Sequence, residues 1–523
     1  MLETVMEFLN GPLGRECFRL NRVLFLVFLA LATLAVWRAP APRPGKVGFG
    51  LLRGLTTAAL LAILIYQATW QISGFLKPEF VHFLRRYNKR PGAAAMQVMR
   101  GPLLDRRGHV LAAPVPGDVW GRRYPLGEAG VHPLGYYHSQ FGITAVERVC
   151  DPELSGYSVE RREGFPGATL FAVRAEEGRA VTLTLDARLQ ARAYDLLAGR
   201  KGAVIVMRPR SGDLLALVSS PGFNPGDPGP ASRDEENAPV FNRATQGRYP
   251  PGSVFKILVA AAALDKGLAP VYACPAMGYI AGPNTPPIRD SEYYAYARRG
   301  AVWPGWGRLN LEKALVHSSN VYFAQLGVAC GAEVFNAMMA RAQINAPLVY
   351  LQAASGELRS AAGSAPTVTQ PRKLAMLAIG QGDLLVTPLH VACFTAAVAA
   401  DGVMPRPRLR TDEAPGRMAT LCSPEAAGRL TGMLRAAVRN GTGRAAEIPG
   451  LEVCGKTGTA QAAGGDDHAW FTCFAPRRKP RLVVTVLVER GGFGARSALP
   501  AARALLEEAV RLGLARPEGE GES

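Results

Sequence analysis

Three short polar motifs follow one another along the chain, and they restrict its fold because their side chains must meet if they act together. They are Ser253-Val254-Phe255-Lys256, Ser318-Ser319-Asn320 and Lys456-Thr457-Gly458-Thr459. Residues three apart share one face of a helix, so the Lys256 ammonium reaches the Ser253 hydroxyl when this segment is helical. A Ser-x-x-Lys sequence occurs by chance in many long chains. All three motifs in this order indicate one site with a serine nucleophile.

The first motif carries the chemistry of a nucleophile and its base. Pro250-Pro251-Gly252 ends a loop, and Ser253 begins a predicted helix that stops at Lys266-Gly267. A hydroxyl at a helix N-terminus faces the positive end of the helix dipole, which favours a developing alkoxide. Serine still needs a base within hydrogen-bond reach, and burial near other cations lowers the pKa of a lysine such as Lys256. A capped helix with a surface lysine explains this motif alone, but not the other two.

The second motif offers a hydroxyl and an amide. Ser318 can relay a proton to a leaving amine, and Asn320 can hold a substrate carbonyl. A polar helix cap is the alternative for this motif in isolation.

The third motif lies on a predicted strand. Gly458 allows a ligand to approach the backbone closely, and Lys456 with Thr457 and Thr459 suits a terminal carboxylate. The backbone N–H groups of Thr459 and Ser253 would form an oxyanion hole. A polar edge strand is the alternative for this motif alone.

Histidines and aspartates suggest two competing sites. His317, His390 and His468 raise the possibility of a Ser-His-Asp triad, but no Gly-x-Ser-x-Gly surrounds a serine. His468 with Asp466 and Asp467 forms one short cluster, which is weak evidence for a metal. The sequence therefore predicts neither a metal nor another cofactor.

Composition excludes several classes of protein. The chain has 523 residues, 48% of them hydrophobic, which is enough for a sizeable core. Its net charge of +18 comes from scattered basic residues without an aromatic-interleaved patch, so an anionic envelope polymer or a lipid surface fits better than nucleic acid. The eight cysteines lie far apart without a Cys-x-x-Cys pair, which disfavours a disulfide framework or a zinc site.

A membrane anchor is predicted for residues 1–76. Residues 54–76 contain no charge and are long enough to cross a bilayer, and residues 23–37 form a shorter uncharged run. The loop between them carries Arg38, Arg43, Lys46 and Arg53, which the positive-inside rule assigns to the cytoplasm. We therefore expect a membrane-anchored protein whose chain after residue 77 is extracytoplasmic.

The remaining chain divides into a small pedestal, residues 77–180, and a larger domain, residues 181–515, followed by a disordered tail at 516–523. Strands are predicted at 202–208, 213–219, 452–461, 469–475 and 481–489. Helices are predicted at 253–266, 311–329, 332–341, 373–381, 388–400 and 424–439. Five strands divided two and three around a long helical insert predict an α+β domain, with helices flanking a five-stranded, mostly antiparallel sheet.

The ordered motifs resemble those of class B penicillin-binding proteins, which are membrane-anchored D,D-transpeptidases of peptidoglycan synthesis. The resemblance covers most of the chain beyond the membrane segments and is closest to the short-pedestal, actinobacterial-type branch. Outside the motifs it rests on Gly101-Pro102-Leu103-Leu104-Asp105-Arg106, Arg122-Arg123-Tyr124-Pro125, Thr184-Leu185-Asp186, Leu189-Gln190, Phe223-Asn224-Pro225, Asn242-Arg243-Ala244, Gly380-Gln381-Gly382 and Thr387-Pro388.

The resemblance implies the penicillin-binding transpeptidase fold and a role for each motif. By this resemblance, Ser253 is the acylated nucleophile and Lys256 is its base. Ser318 and Asn320 form the second motif. Lys456, Thr457 and Thr459 form the side of the site that binds the carboxylate and the oxyanion. The substrate would be the stem peptides of peptidoglycan, with β-lactams as inhibitors. A membrane glycosyltransferase of the SEDS type would be the partner. The family usually has one span, and the run at 23–37 departs from that pattern.

Three alternatives remain open. A membrane β-lactam sensor would use the same acylation, but it carries a cytoplasmic effector domain for which no segment is large enough. A β-lactamase shares the motifs and adds a positioned water. A non-catalytic scaffold for a glycan polymerase would show the loss of a motif residue, and all are present.

Overall fold

The structure is a computed structural model that describes residues 99–163, 169–175, 178–353, 355–461 and 466–516, with a few helical positions between 54 and 65. The predicted span 23–37, most of the span 54–76, the pedestal before residue 99 and the tail after residue 516 lie outside these residues. The compact unit described below comprises residues 89–161 and 171–523. The other unit comprises residues 1–88 and 162–170. Of it, the structure describes only the helical positions between 54 and 65 and the strand residues 162–163 and 169–170.

A five-stranded sheet forms the centre of the compact unit. Its strands are β1 (Gly202–Met207), β2 (Leu214–Ser220), β3 (Cys454–Ala460), β4 (His468–Ala475) and β5 (Leu482–Val488). Their order across the sheet is β2-β1-β5-β4-β3, and every neighbouring pair is antiparallel. The predicted sheet is therefore confirmed, including the hairpins β1–β2 and β4–β5.

Alternating side chains of the sheet enter two separate cores. In β1, Ala203, Ile205 and Met207 belong to one hydrophobic cluster, while Val204 and Val206 belong to the other. Successive side chains of a strand point to opposite faces, so both faces of this strand are covered. Burial on both sides explains why its sequence is a continuous apolar run instead of an alternating one.

Between residues 187 and 511, the described residues form nine α-helices. In chain order, α1 to α9 are Ala187–Leu197, Lys256–Asp265, Ser291–Ala297, Leu311–His317, Asn320–Arg341, Pro371–Ala378, Pro388–Ala399, Pro424–Asn440 and Gly494–Arg511. The sequence predicted neither α1 nor α9, whose buried residues share the second core. Helix α9 contains Pro500, a residue that normally predicts a helix end.

The predicted helix 311–329 is wrong, because the second motif interrupts it. Ser318 has a left-handed backbone (φ 58°), which ends α4, and the Ser319 hydroxyl accepts a hydrogen bond from the Tyr322 N–H at the start of α5. Gly331 (φ 76°) kinks α5 at the predicted break between 329 and 332. Among the described residues, α5 alone is long and apolar enough to cross a membrane. Ten of its 22 residues are buried, as in a core helix of a globular domain.

Residues 99–182 build a second small sheet. Its strands are Asp118–Arg123, Val110–Val115, Leu103–Leu104 and Val181–Thr182, in that order across the sheet. Short helices follow at Val131–Leu134, Ala145–Val149 and Asp151–Ser155, and further strands at Tyr137–His138, Gly142–Ile143, Tyr157–Glu163 and Thr169–Ala175. The Glu147 carboxylate is buried and forms ion pairs of 2.7 Å with both Arg100 and Arg122.

Three more strand pairs complete the compact unit. They are Tyr272–Pro275 with Gly305–Leu309, Val349–Ala353 with Gly356–Arg359, and Val403–Pro405 with Arg417–Thr420. The first pair closes a segment, residues 276–304, that contains α3 and lies beside the motifs.

Candidate active site

Ser253 lies in a tight turn that leads directly into α2. Residues Gly252–Phe255 form a single 3-10 turn, and α2 begins at Lys256. Gly252 has φ 55°, and a Cβ atom there would lie 2.5 Å from the Thr459 carbonyl oxygen. Only glycine accommodates both the left-handed backbone and this contact. The turn is therefore held against β3, which brings Ser253 next to the third motif.

Lys256 is buried in the middle of the site. Nine of the ten residues of α2 are buried, and Lys256 is the charged one among them, with no exposed surface. Its Nζ donates hydrogen bonds to the Ser318 carbonyl oxygen (2.6 Å) and to Asn320 Oδ1 (2.8 Å). Burial lowers the pKa of Lys256 to about 7, against an opposing effect of Asp290 and Glu292. The lysine can therefore lose its proton near neutral pH.

Lys456 is buried on the same side of the site. Its Nζ donates to the Thr457 carbonyl oxygen at 3.2 Å. Burial, and then the charge of Lys256, hold the pKa of Lys456 well below its usual value. Two buried ammonium groups close together repel each other, so at least one of the two lysines favours its neutral amine form. The expected role of Lys456 as a cation for a substrate carboxylate stays a prediction, because its side chain lies beneath the cleft surface.

Asp290 holds the second motif in place. Its Oδ1 accepts hydrogen bonds from the Ser319 hydroxyl (3.0 Å) and from the backbone N–H groups of Asn320 (2.5 Å) and Val321 (3.1 Å). A carboxylate at this position satisfies donors at the N-terminus of α5 and complements its dipole. The Asn320 side chain donates through Nδ2 to the Arg289 carbonyl oxygen, so its Oδ1 faces Lys256.

The third motif lies on the edge strand β3. Gly458 is packed closely, since a Cβ atom there would lie 2.9 Å from Val254 Cγ1. The sequence predicts that a ligand approaches the backbone closely at Gly458. In the structure, the turn that carries Ser253 makes such a close contact there. The Thr457 hydroxyl is hydrogen-bonded to that of Thr442 at 2.7 Å, and the Thr459 hydroxyl accepts from the Gly494 N–H at 3.5 Å.

A cleft of about 650 Å³ opens over these motifs, within the size range of small-molecule sites. Six of the eight residues predicted for the site line it: Ser253, Ser318, Asn320, Thr457, Gly458 and Thr459. The other two, Lys256 and Lys456, lie beneath them. Segments far apart in the sequence thus meet in one site.

Sequence reasoning missed several residues of this site. Asp290 lies 30 residues before Asn320 in a segment without a motif, and Glu292 and Thr442 likewise line or support the cleft without a local signal. Of the three histidines, only His317 lines the cleft, stacked on Trp306 at 3.8 Å. His390 is buried between Thr387 and the Ala346 carbonyl oxygen, which indicates a structural role.

The five-stranded sheet, the buried helix α2 and the cleft that the three motifs share indicate an acyltransferase of the serine type. The sequence matches the family of the penicillin binding protein transpeptidase domain over residues 202–507. The chain belongs to this family.

Relatives and solved structures agree with this assignment. The chain is 31% identical to "Peptidoglycan D,D-transpeptidase PbpA" of Mycolicibacterium smegmatis over 429 residues, which cover 75% of this chain and 84% of that protein. It is 32% identical to "Peptidoglycan D,D-transpeptidase MrdA" of Haemophilus influenzae, over 74% of this chain and 69% of that protein. The structure of penicillin-binding protein A from M. tuberculosis as a ceftriaxone acyl-enzyme complex is 29% identical, with a TM-score of 0.68, over 80% of this chain and 99% of that chain.

Proposed function

We propose that this protein is a peptidoglycan D,D-transpeptidase that acts through an acyl-enzyme on Ser253. The observation that carries the proposal is the environment of Lys256. Its Nζ is desolvated and bonded only to neutral oxygens of Ser318 and Asn320, and its pKa lies at about 7. A neutral amine one helical turn from a serine hydroxyl is a suitable general base at physiological pH.

In the acylation step, the Ser253 hydroxyl attacks the carbonyl carbon of the D-Ala–D-Ala amide while Lys256 takes its proton. The resulting oxyanion lies near the backbone N–H groups of Ser253 and Thr459, which would stabilise it. The C–N bond then breaks, and the leaving D-Ala amine receives a proton through Ser318. The products are a Ser253 ester and free D-Ala.

In the transfer step, the amine of a neighbouring stem peptide attacks the ester carbonyl. Its proton passes to the same base, the ester bond breaks, and Ser253 recovers its hydroxyl proton. The result is a new amide cross-link. Thr457 and Thr459 line the cleft with their hydroxyls directed by Thr442 and Gly494, and such donors suit the terminal carboxylate of the donor peptide.

The proposed organisation follows from this substrate, which is exported. Residues 1–76 anchor the chain, residues 77–180 form the pedestal, and residues 181–515 form an extracytoplasmic catalytic domain. Cross-linking is useful beside a growing glycan strand, so a SEDS-type membrane glycosyltransferase is the proposed partner. The anchor and the pedestal near residues 77–115 would contact it, since they contain or directly follow the predicted spans in the sequence.

The test is reaction of the full chain with a labelled penicillin, followed by peptide mass mapping. We expect one stable adduct on Ser253, none in Ser253→Ala, and an acylation rate lower by about 10²-fold or more in Lys256→Ala. An adduct on another serine would overturn the assignment.

Exchange with a D-amino acid distinguishes transfer from hydrolysis. We expect the acyl group of a D-Ala-D-Ala peptide to appear in an exchanged product. Adducts that turn over within seconds without exchange would instead indicate a β-lactamase.

A further inference from the structure

Three arginines line the same cleft as Ser253, and the reaction described above uses none of them. They are Arg289, Arg298 and Arg372. Arg289 directly precedes the capping residue Asp290, Arg298 ends helix α3, and Arg372 lies in the first turn of α6.

Contacts among their segments place the three arginines on one wall of the cleft. The Arg372 guanidinium donates to the Pro286 carbonyl oxygen at 2.8 Å, which ties α6 to the segment that contains Arg289. The Arg289 guanidinium lies 4.3 Å from the centre of the Tyr293 ring in α3, and Arg298 follows at the end of the same helix. One continuous surface, residues 286–298 with the start of α6, therefore carries all three cations.

Among the described residues, this wall carries three arginines and one lining carboxylate, Glu292. Within the part of the chain that the structure describes, Arg289 and Arg372 bond to carbonyl oxygens, and none of the three forms an ion pair with Asp or Glu. Two carboxylates line the cleft, Glu292 and Asp467. Glu292 acts electrostatically on the lysine pair below, while the Asp467 carbonyl accepts from Gly492 at the β4 side.

We propose that Arg289, Arg298 and Arg372 form a subsite for a side-chain carboxylate at the third residue of the donor stem peptide, upstream of the cleaved amide. This inference rests on the proposed transpeptidase function and narrows its substrate class. In the proposed function, the terminal D-Ala carboxylate binds the threonines of β3. The arginines of this wall would therefore bind a second anionic group on the same peptide. Guanidinium groups bind carboxylates through paired hydrogen bonds and so select for them.

The test compares two donor pentapeptides that end in D-Ala-D-Ala and differ by one carboxylate: meso-diaminopimelate or L-lysine at the third position. Competition with a labelled penicillin measures binding by the full chain in detergent, and exchange with a D-amino acid measures kcat/KM. For the parent we expect a preference of about 10-fold for the diaminopimelate peptide, the scale of one charged hydrogen bond. We expect Arg298→Gln and Arg372→Gln each to reduce this preference, and raised salt to weaken it.

Arg299→Gln is the matched control, because Arg299 is the adjacent, exposed arginine and does not line the cleft. It should keep the full preference. Equal competition by the two peptides in the parent, or an unchanged preference in the Arg298→Gln and Arg372→Gln variants, would overturn the subsite. Unchanged penicillin acylation in those variants separates that outcome from a failure of the proposed function, in which Ser253 would form no adduct at all.

Discussion

The Lys256 Nζ atom donates a 2.8 Å hydrogen bond to Asn320 Oδ1, and this bond joins the first motif to the second. The amide orientation is determined by its other end, since Asn320 Nδ2 donates to the Arg289 carbonyl oxygen. An amide oxygen accepts a hydrogen bond without the full charge that would retain a proton on the lysine. The asparagine thus positions Lys256 and also permits it to be neutral.

Replacement of this amide by a carboxylate should shift the pH dependence of acylation. In Asn320→Asp an anion would lie beside Nζ and raise the pKa of Lys256 above about 7, so the acidic limb of the acylation rate should move to higher pH by about 1 to 3 units. Rates with a labelled penicillin from about pH 5 to about pH 10 measure this. Asn310→Asp, at a helix cap where aspartate accepts the same bond, should leave the limb in place. An unshifted limb in Asn320→Asp would mean that Lys256 is not the titrating base.

Removal of a nearby carboxylate should have the opposite effect. The charge of Glu292 raises the pKa of Lys256, so Glu292→Gln should lower it and extend acylation to more acidic pH. The same rate profile measures this change, and Glu312→Gln in the exposed first turn of α4 is the control. A limb that moves to higher pH would contradict the electrostatic role of Glu292.

The turn before the nucleophile can be tested at the two glycines that flank α2, Gly252 and Gly267. Gly252→Ala combines a left-handed backbone with a Cβ atom 2.5 Å from the Thr459 carbonyl oxygen, so it should displace Ser253 and lower the acylation rate by about 10-fold or more. Gly267→Ala, at the other end, has the same backbone strain (φ 69°) but open space around the new methyl group. It should cost about 1 kcal/mol of stability and leave acylation unchanged. Equal acylation rates in the two variants would show that contact with β3 does not position Ser253.

Local patterns predicted the sheet because each strand carries its own signal. The run at 481–489 predicted β5, observed at Leu482–Val488, since burial on both faces requires apolar residues throughout. Helix α1 has a capping Asp186 and ordinary helix formers, and it was still missed. Helix α9 was missed because it contains Pro500, and a proline at such a position predicts the end of a helix.

The motif residues were predictable, while the residues that organise them were not. Ser253 and Lys256 are three residues apart in a 3-10 turn that continues into α2, so their proximity follows from sequence. Asp290 and Asn320 are joined only by the tertiary fold, 30 residues apart. The direction of the Lys456 side chain likewise depends on which face of β3 meets α2. Burial of both lysines is a property of the assembled core that local spacing does not encode.

The ion pairs of Glu147 allow a stability prediction that is independent of catalysis. Glu147 is fully buried between Arg100 and Arg122. Burial alone would raise the pKa of Glu147, but the two guanidinium groups outweigh it and leave the pKa below its usual value. Its contribution to stability is therefore present above the unfolded pKa and is lost as the pH falls through the lower folded value.

Removal of that charge should destabilise the protein strongly. Glu147→Gln removes the carboxylate that pairs with the buried Arg122 and leaves Arg100 with Asp151 alone. It should therefore lower the free energy of unfolding by about 3–5 kcal/mol. Denaturant unfolding of the full chain at neutral pH measures the loss, which should shrink as the pH falls through the folded pKa of Glu147.

Glu507→Gln removes a comparable but exposed pair with Arg503 and should change stability by less than about 0.5 kcal/mol. Equal small effects of both substitutions would show that the buried pairs contribute no more than surface ones. A loss confined to the Glu147 variant, with penicillin acylation of the folded protein intact, would assign this carboxylate to the stability of residues 99–161 alone.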